Sequence, residues 1–285
     1  MSLAALALVL AAAFSHAAWN LLAKRSGGGA PFVWLSAAVA SVLWAPVALA
    51  AVLIAPPSLG AEAVLWLSVS AVLHTGYYLL LQASYRRGDL SLVYPLARGT
   101  GALLAVGGAV VVLGERPTLL SLVGALLIAA GIVALAGTGR GRGGDRQPSI
   151  GPALATGGLI SVYTVWDALL VTELGVPALV LVWAADLGRC LLLAPIARRS
   201  WPDVASIWRT CRREVIGVAV LSPIAYVLVL LALRFAPLSY VAPTREISIL
   251  IGVMMGRRLL GEGNVAYRLA GAAAVVVGTI CATAG

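Results

Sequence analysis

The sequence predicts an all-α integral membrane protein of ten transmembrane helices, arranged as two inverted five-helix repeats. Three observations carry that expectation. The 285 residues are 61% hydrophobic and only 11% charged, where a soluble domain holds about 25% charged residues. Ten apolar runs follow one another with short polar gaps, each near the ~20 residues that cross a bilayer core as a helix. Residues of the first half also return about 147 positions later: Trp19-Asn20 as Trp166-Asp167, Arg98 as Arg245, Gly114-Glu115 as Gly261-Glu262, and Gly124 and Gly131 as Gly271 and Gly278. A copy with an odd number of spans must enter the bilayer in the opposite sense to its twin.

The apolar runs fall at 3–24, 31–55, 62–84, 90–113 and 118–138, then at 149–171, 177–197, 214–233, 238–260 and 265–284. They divide the chain into a first repeat (1–138), a linker (139–149) and a second repeat (150–285). The linker reads Gly-Arg-Gly-Arg-Gly-Gly-Asp-Arg-Gln-Pro before Ser149, a flexible composition that no packed core requires. A second polar stretch, 198–214, holds five Arg together with Trp201 and Trp208, the pairing expected at a membrane–water interface. The N-terminal run lacks the basic start of a cleavable signal, and its polar residues recur in the second copy.

The net charge of +9 does not point to nucleic acid, because the basic residues lie in short clusters between apolar runs. Loops after the odd-numbered spans hold fifteen Lys or Arg, among them Lys24, Arg86, Arg142, Arg199, Arg212 and Arg258, against Arg116 and Arg234 on the other side. That bias puts the odd loops in the cytoplasm and both termini outside. Cys190, Cys211 and Cys281 show no paired spacing and are expected as small apolar fillers. No metal-ligand spacing, phosphate loop or nucleophile motif stands out, so neither a cofactor nor an enzymatic activity is expected.

Polar groups inside a span are costly and mark candidate sites. In span 1, His16, Asn20 and Lys24 recur at i, i+4 on one face, beside Trp19. Tyr163, Trp166 and Asp167 occupy the matching positions of span 6. His74 and Tyr78 in span 3 match Ser222 and Tyr226 in span 8. Spans 4 and 9 carry Pro95 and Pro243, followed by Arg98 and by Arg245-Glu246. A proline frees a carbonyl and bends a helix, and interrupted membrane helices border binding cavities. With Tyr94, these residues form the expected substrate-binding set.

Arg98 lies about eight residues, roughly 12 Å, into its span, too deep to snorkel easily. Asn20 cannot neutralise it, whereas Asp167 can neutralise Arg245. Under the predicted orientation Asn20 and Arg98 belong to the inner half of the bilayer, and Asp167 and Arg245 to the outer half. Arg98 thus needs either an acid from the other repeat or a substrate anion, and the expectation is a substrate carboxylate, phosphate or phosphonate bound as a fork. Asp186 is the rival partner, with Arg189 three residues on and able to hold it. Asp167, Asp186 and Glu246 are candidate proton carriers. The glycines at 124, 131, 271 and 278 recur every seven residues within spans 5 and 10 and should let those spans pack closely, or pack against a second protomer in a homodimer.

These residues together resemble the drug/metabolite transporter superfamily, in its EamA-like branch. The resemblance rests on the first helix (His16-Ala-Ala-Trp19-Asn20-Leu-Leu-Ala-Lys24), the Pro95-bearing fourth span ending in Gly114-Glu115, and the same Gly-Glu ending in the second half. It covers the whole chain. It implies alternating-access export or uptake of small metabolites across the inner membrane of a bacterium. Members of that branch are commonly drawn with both termini in the cytoplasm, and the loop charges here point the other way. The rival expectations are a flippase for a lipid-linked sugar phosphate and a non-transporting assembly subunit.

Overall fold

The computed structural model describes residues 3–54, 60–112, 118–138, 149–172, 174–232, 235, 245–263 and 265–284. Among them are ten helices and no strand: α1 (Leu3–Ser26), α2 (Gly29–Ile54), α3 (Ala61–Arg87), α4 (Leu90–Val112), α5 (Leu119–Thr138), α6 (Ile150–Thr172), α7 (Ala178–Arg199), α8 (Trp201–Ala232), α9 (Ile247–Leu260) and α10 (Val265–Ala284). Gly114, Glu115, Pro243 and nearly all of the linker fall outside the described residues.

Six helices, α1, α2, α3, α5, α6 and α7, are long and apolar enough to cross a bilayer, and α10 adds a shorter apolar stretch, Ala266–Cys281. The surface agrees. Val42 (76% exposed), Leu126 (70%) and Val133 (71%) face outward, while Asn20, Ser70, Ser84, Arg98 and Asp167 are buried. Apolar outside and polar inside is the reverse of a water-soluble bundle.

Glycine sets the stops that need a left-handed residue. Gly27 and Gly29 (φ +56° and +58°) separate α1 from α2. Gly261 (φ +69°) ends α9, its N–H and that of Glu262 returning to the Arg257 and Gly256 carbonyls. Two local expectations change. The 198–214 stretch is helical from Trp201 onward and runs into α8 through a kink at Cys211 (φ −124°, ψ 25°). α4 is unbroken through Pro95; the proline lies in its second turn, so only the Ser91 carbonyl loses its helical donor.

Neighbouring helices pair as α1 with α8, α3 with α6, α2 with α7, α4 with α6, α1 with α9, and α5 with α10. The α5–α10 contact is made at glycine. A Cβ on Gly131 would sit 2.7 Å from the Gly271 carbonyl oxygen, and one on Gly278 the same distance from that of Gly124. The stripe is therefore occupied within one chain.

The basic helix ends gather at one end of the bundle. Lys24 Nζ donates to the Tyr85 and Gly88 carbonyls at 2.5 and 2.7 Å, and the Arg25 guanidinium reaches the Leu259 carbonyl at 3.5 Å. The Glu262 carboxylate accepts from the Leu90 and Ser91 N–H groups at 2.7 and 2.8 Å. Arg268, 2% exposed, meets Asp89 at 2.7 Å and Ser91 Oγ at 2.6 Å. The α3–α4 turn thus has a cation on the outgoing carbonyls and an acid on the incoming amides, each at the helix end its charge favours.

Candidate functional site

The polar stripe of α6 is organised around Asp167, which is 1% exposed. One carboxylate oxygen accepts from Ser70 Oγ at 2.6 Å. The other accepts from His74 Nε2 at 2.8 Å and Tyr226 Oη at 3.2 Å. Ser70 and His74 lie one turn apart on α3, so that helix offers both donors on one face. Tyr163, one turn before Asp167, lies beside the His74 ring with centroids 4.4 Å apart. The expected neutralisation of Arg245 by Asp167 does not occur; three donors from α3 and α8 occupy this carboxylate instead.

Arg98 is also not free. Its Nε donates to Glu246 Oε2 at 3.0 Å and its Nη2 donates to Oε1. Arg245 Nη2 reaches the same Oε1 at 3.4 Å. The anion in its fork is Glu246, from the second half of the chain, and not the expected substrate anion. Arg98 and Arg245, assigned to opposite halves of the bilayer, converge on one carboxylate. A signal for this stood in the sequence. Pro95 and Pro243 are 148 positions apart, and in that frame Arg98 is the counterpart of Glu246, 148 positions on. The 147-residue frame had paired it with Arg245. Beside this cluster Tyr94 Oη donates to Ser248 Oγ at 2.9 Å.

In α1, Trp19 Nε1 donates to His16 Nδ1 at 3.1 Å. Asn20 donates from Nδ2 to the His16 carbonyl at 2.8 Å, and its Oδ1 accepts from Tyr85 Oη at 2.6 Å. Asn20 is therefore a link between α1 and α3. In α7, Arg189 pairs with Asp186 one turn earlier, as the spacing allowed. Its guanidinium lies 3.8 Å from the centre of the Tyr78 ring, and Tyr78 Oη shares a hydrogen bond with Ser222 Oγ.

A cavity opens between these groups. It is bordered by α1, α3, α6, α7 and α8, with His16, Trp19, His74, Tyr163 and Tyr226 on its wall. Tyr77, Tyr78, Asp186, Arg189 and Ser222 complete the polar lining. It holds about 50 Å³, room for about three waters and far below the roughly 300 Å³ where drug-sized sites begin. The remaining expected site residues stand back from this wall. Asn20 and Asp167 support it from behind, and Tyr94, Arg98, Arg245 and Glu246 form the adjoining ion cluster. Trp166 turns away to stack on Trp66, with centroids 4.1 Å apart and its Nε1 donating to the Trp66 carbonyl at 2.9 Å. Tyr77 was missed because its neighbour Tyr78 carried the repeat match.

Polar atoms on the wall are unevenly satisfied. His16 Nε2, Asp186 Oδ2 and Arg189 Nε are buried without a hydrogen-bond partner, although their residues are 9%, 6% and 4% exposed. Such atoms cost free energy unless water or a ligand meets them.

No family model and no curated protein matches the chain. Among solved structures, a chain described only as "Crystal structure of protein" superposes over 100% of this chain and 98% of its own length, with a TM-score of 0.62 and 17% identity. At that identity the likeness is one of fold: the ten-helix arrangement described above is similar from end to end to that of a protein solved by crystallography.

Proposed function

We propose that the chain is a secondary transporter of a small polar metabolite that carries an anionic group, working by alternating access in the inner membrane of a bacterium, most simply as an exporter. In this reading all ten helices cross the bilayer, with the two five-helix repeats inverted, the basic loops in the cytoplasm and both termini outside. The resemblance to the EamA-like drug/metabolite transporters fits this. So does the packing, in which α1 on α8 is answered by α6 on α3, and α4 on α6 by α9 on α1. Exchange of equivalent helices is what a pseudo-twofold produces.

The observation that carries the reading is the cavity. It lies between helices of both repeats, carries polar side chains where the outer surface is apolar, and keeps three buried polar atoms unpartnered. A non-transporting subunit would account for the Arg98–Glu246 pair but not for that wall. A flippase for a lipid-linked phosphate would want Arg98 beside an opening to lipid, and Arg98 is 6% exposed and already paired. The small volume describes a contracted state that must widen to admit a metabolite. Of the three acids considered as proton carriers, Asp186 lines the cavity directly and Asp167 adjoins it through its partners His74 and Tyr226, whereas Glu246 is enclosed by two guanidinium groups.

The test is flux. Small metabolites that raise the unfolding temperature of the purified protein are loaded into sealed vesicles containing it, and release is followed with and without an uncoupler. Release that depends on the protein is expected. Uncoupler sensitivity would assign proton coupling, and insensitivity an exchange with a counter-substrate. Absence of protein-dependent movement for every stabilising compound would refute the transporter.

A further inference from the structure

We infer that a groove at the basic end of α7, walled by Trp34, Arg198, Arg199 and Trp201, is a binding site for an anionic glycerophospholipid. The two guanidinium groups hold its phosphate, and its acyl chains lie along the apolar outer face of α7. The groove shares no lining residue with the central cavity. The inference rests on the membrane-embedded part of the reading above and not on transport.

Three helices build the groove. Trp34 comes from the second turn of α2, the two arginines from the last turn of α7, and Trp201 from the start of α8. Ser200 turns the chain between α7 and α8, its N–H returning to the Ile196 carbonyl, which keeps the arginines and Trp201 at one end. The apolar wall is Leu191, Ala194 and Pro195. Exposed Leu191, Leu192 and Ile196 continue it as outer surface of α7. The groove measures about 610 Å³, within the roughly 300–1,000 Å³ of small-molecule sites and unlike the 50 Å³ of the central cavity.

The polar groups of this groove are all donors. Trp34 stands edge-on to Trp201, with ring centroids 6.2 Å apart, and its Nε1 is buried without an acceptor. The indoles of Trp19, Trp44, Trp166 and Trp183, by contrast, each donate to an acceptor within the chain. An indole N–H can only donate, and leaving it unmet costs free energy. Arg198 and Arg199 are exposed and enter no hydrogen bond or ion pair among the described residues. Guanidinium groups match phosphate oxygens as forks, so the missing partner is an anion. Its remainder must suit an apolar wall that opens onto the lipid-facing surface. A soluble phosphate leaves that wall bare, and a zwitterionic lipid brings its own cation toward the arginines. An anionic lipid meets both demands. The wider charge agrees: residues 198–214 hold five Arg against Asp203 and Glu214, and anionic leaflets attract such clusters. Tryptophan beside them is the usual residue of the headgroup level.

The probes are phosphatidylglycerol, phosphatidylcholine with the same acyl chains, and glycerol 3-phosphate as the water-soluble headgroup. Each is titrated into the purified full-length chain in detergent, and the shift in unfolding temperature is measured. Phosphatidylglycerol should stabilise the protein more than phosphatidylcholine at equal mole fraction, and glycerol 3-phosphate should not stabilise it. Changing Arg198→Gln and Arg199→Gln together should weaken phosphatidylglycerol binding, at roughly fivefold for each arginine lost. Trp34→Phe keeps a ring, removes the N–H and should cost about fivefold; it carries the test if the arginine variant does not fold. The control pair Arg212→Gln and Arg213→Gln, outside the groove, should lose far less. Equal stabilisation by phosphatidylcholine, or none by phosphatidylglycerol, would overturn the inference. So would stabilisation by glycerol 3-phosphate, which would mean a site for a soluble anion. Equal losses in the two arginine pairs would mean diffuse attraction without a site, and unchanged binding in the groove variants that fold would also refute it. Failure here is separable from failure of the transporter. Metabolite flux without lipid preference removes the groove and keeps transport; lipid preference that follows these rules without flux does the reverse.

Discussion

Of the buried carboxylate–guanidinium pairs among the described residues, two are finished differently. Arg98 and Glu246 come from opposite halves of the chain and meet through two hydrogen bonds, with Arg245 backing the same carboxylate. Asp186 and Arg189 come from adjacent turns of α7 and meet through a single nitrogen–oxygen contact, leaving an oxygen and an N–H without partners. The first pair spends both carboxylate oxygens on the Arg98 guanidinium and joins the two halves of the chain, with the Nε of the backing Arg245 left unmatched. The second keeps chemistry in reserve beside a cavity. Burial alone does not separate the two pairs; what does is the unused oxygen and N–H that the second holds beside a cavity.

The comparison breaks most readily at Glu246. Glu246→Gln leaves two guanidinium groups in a buried site without their counter-charge, which should cost about 3–5 kcal/mol. Thermal unfolding of the purified variant in detergent reads this directly. A loss below about 1 kcal/mol would mean that water reaches the cluster and that the pair is not closed as described. Next in size is Gly278→Ala, which touches neither pair. Its new methyl would lie 2.7 Å from the Gly124 carbonyl oxygen on α5, and overpacking of this kind costs about 1–3 kcal/mol. It should lower the unfolding temperature yet leave the shift given by a bound ligand unchanged, separating stability from recognition. The smallest effect belongs to Ser70→Ala. It removes one of three donors to Asp167 and should cost about 1 kcal/mol, measurable in the same melt. A larger loss would show that Ser70, more than His74 or Tyr226, holds that carboxylate in place.

Much of this architecture can be read before any coordinates. Apolar runs of bilayer length mark nearly every helix, the glycines of α5 and α10 announce a close contact, and the spacing of Asp186 and Arg189 anticipates their pairing. The partners of Arg98 and Asp167 were harder to see. A repeat frame one residue out sets Arg98 against Arg245 instead of Glu246, since side-chain identity alone favours matching arginine with arginine. Ser70 is chemically ordinary and has no echo, so nothing singles it out as a donor until α3 is folded against α6. The kink at Cys211 has no proline or glycine at the residue itself, and α8 reads from sequence as loop followed by span. The Gly-Glu motif is visible as a repeat, but its spacing does not tell which helix end Glu262 will reach.

That last feature bears on how the molecule is made. The amides of Leu90 and Ser91 wait for a carboxylate 172 and 171 positions downstream, and Asp89 waits for Arg268. At roughly 5–20 residues per second, a ribosome needs on the order of ten to thirty seconds to supply them. Throughout that interval the first amides of α4 and the Asp89 carboxylate lack these partners, while Lys24, made earlier, already holds the Tyr85 and Gly88 carbonyls at the end of α3. A polypeptide severed in the linker should accordingly reassemble through this corner, each fragment completing a helix end that the other one left bare.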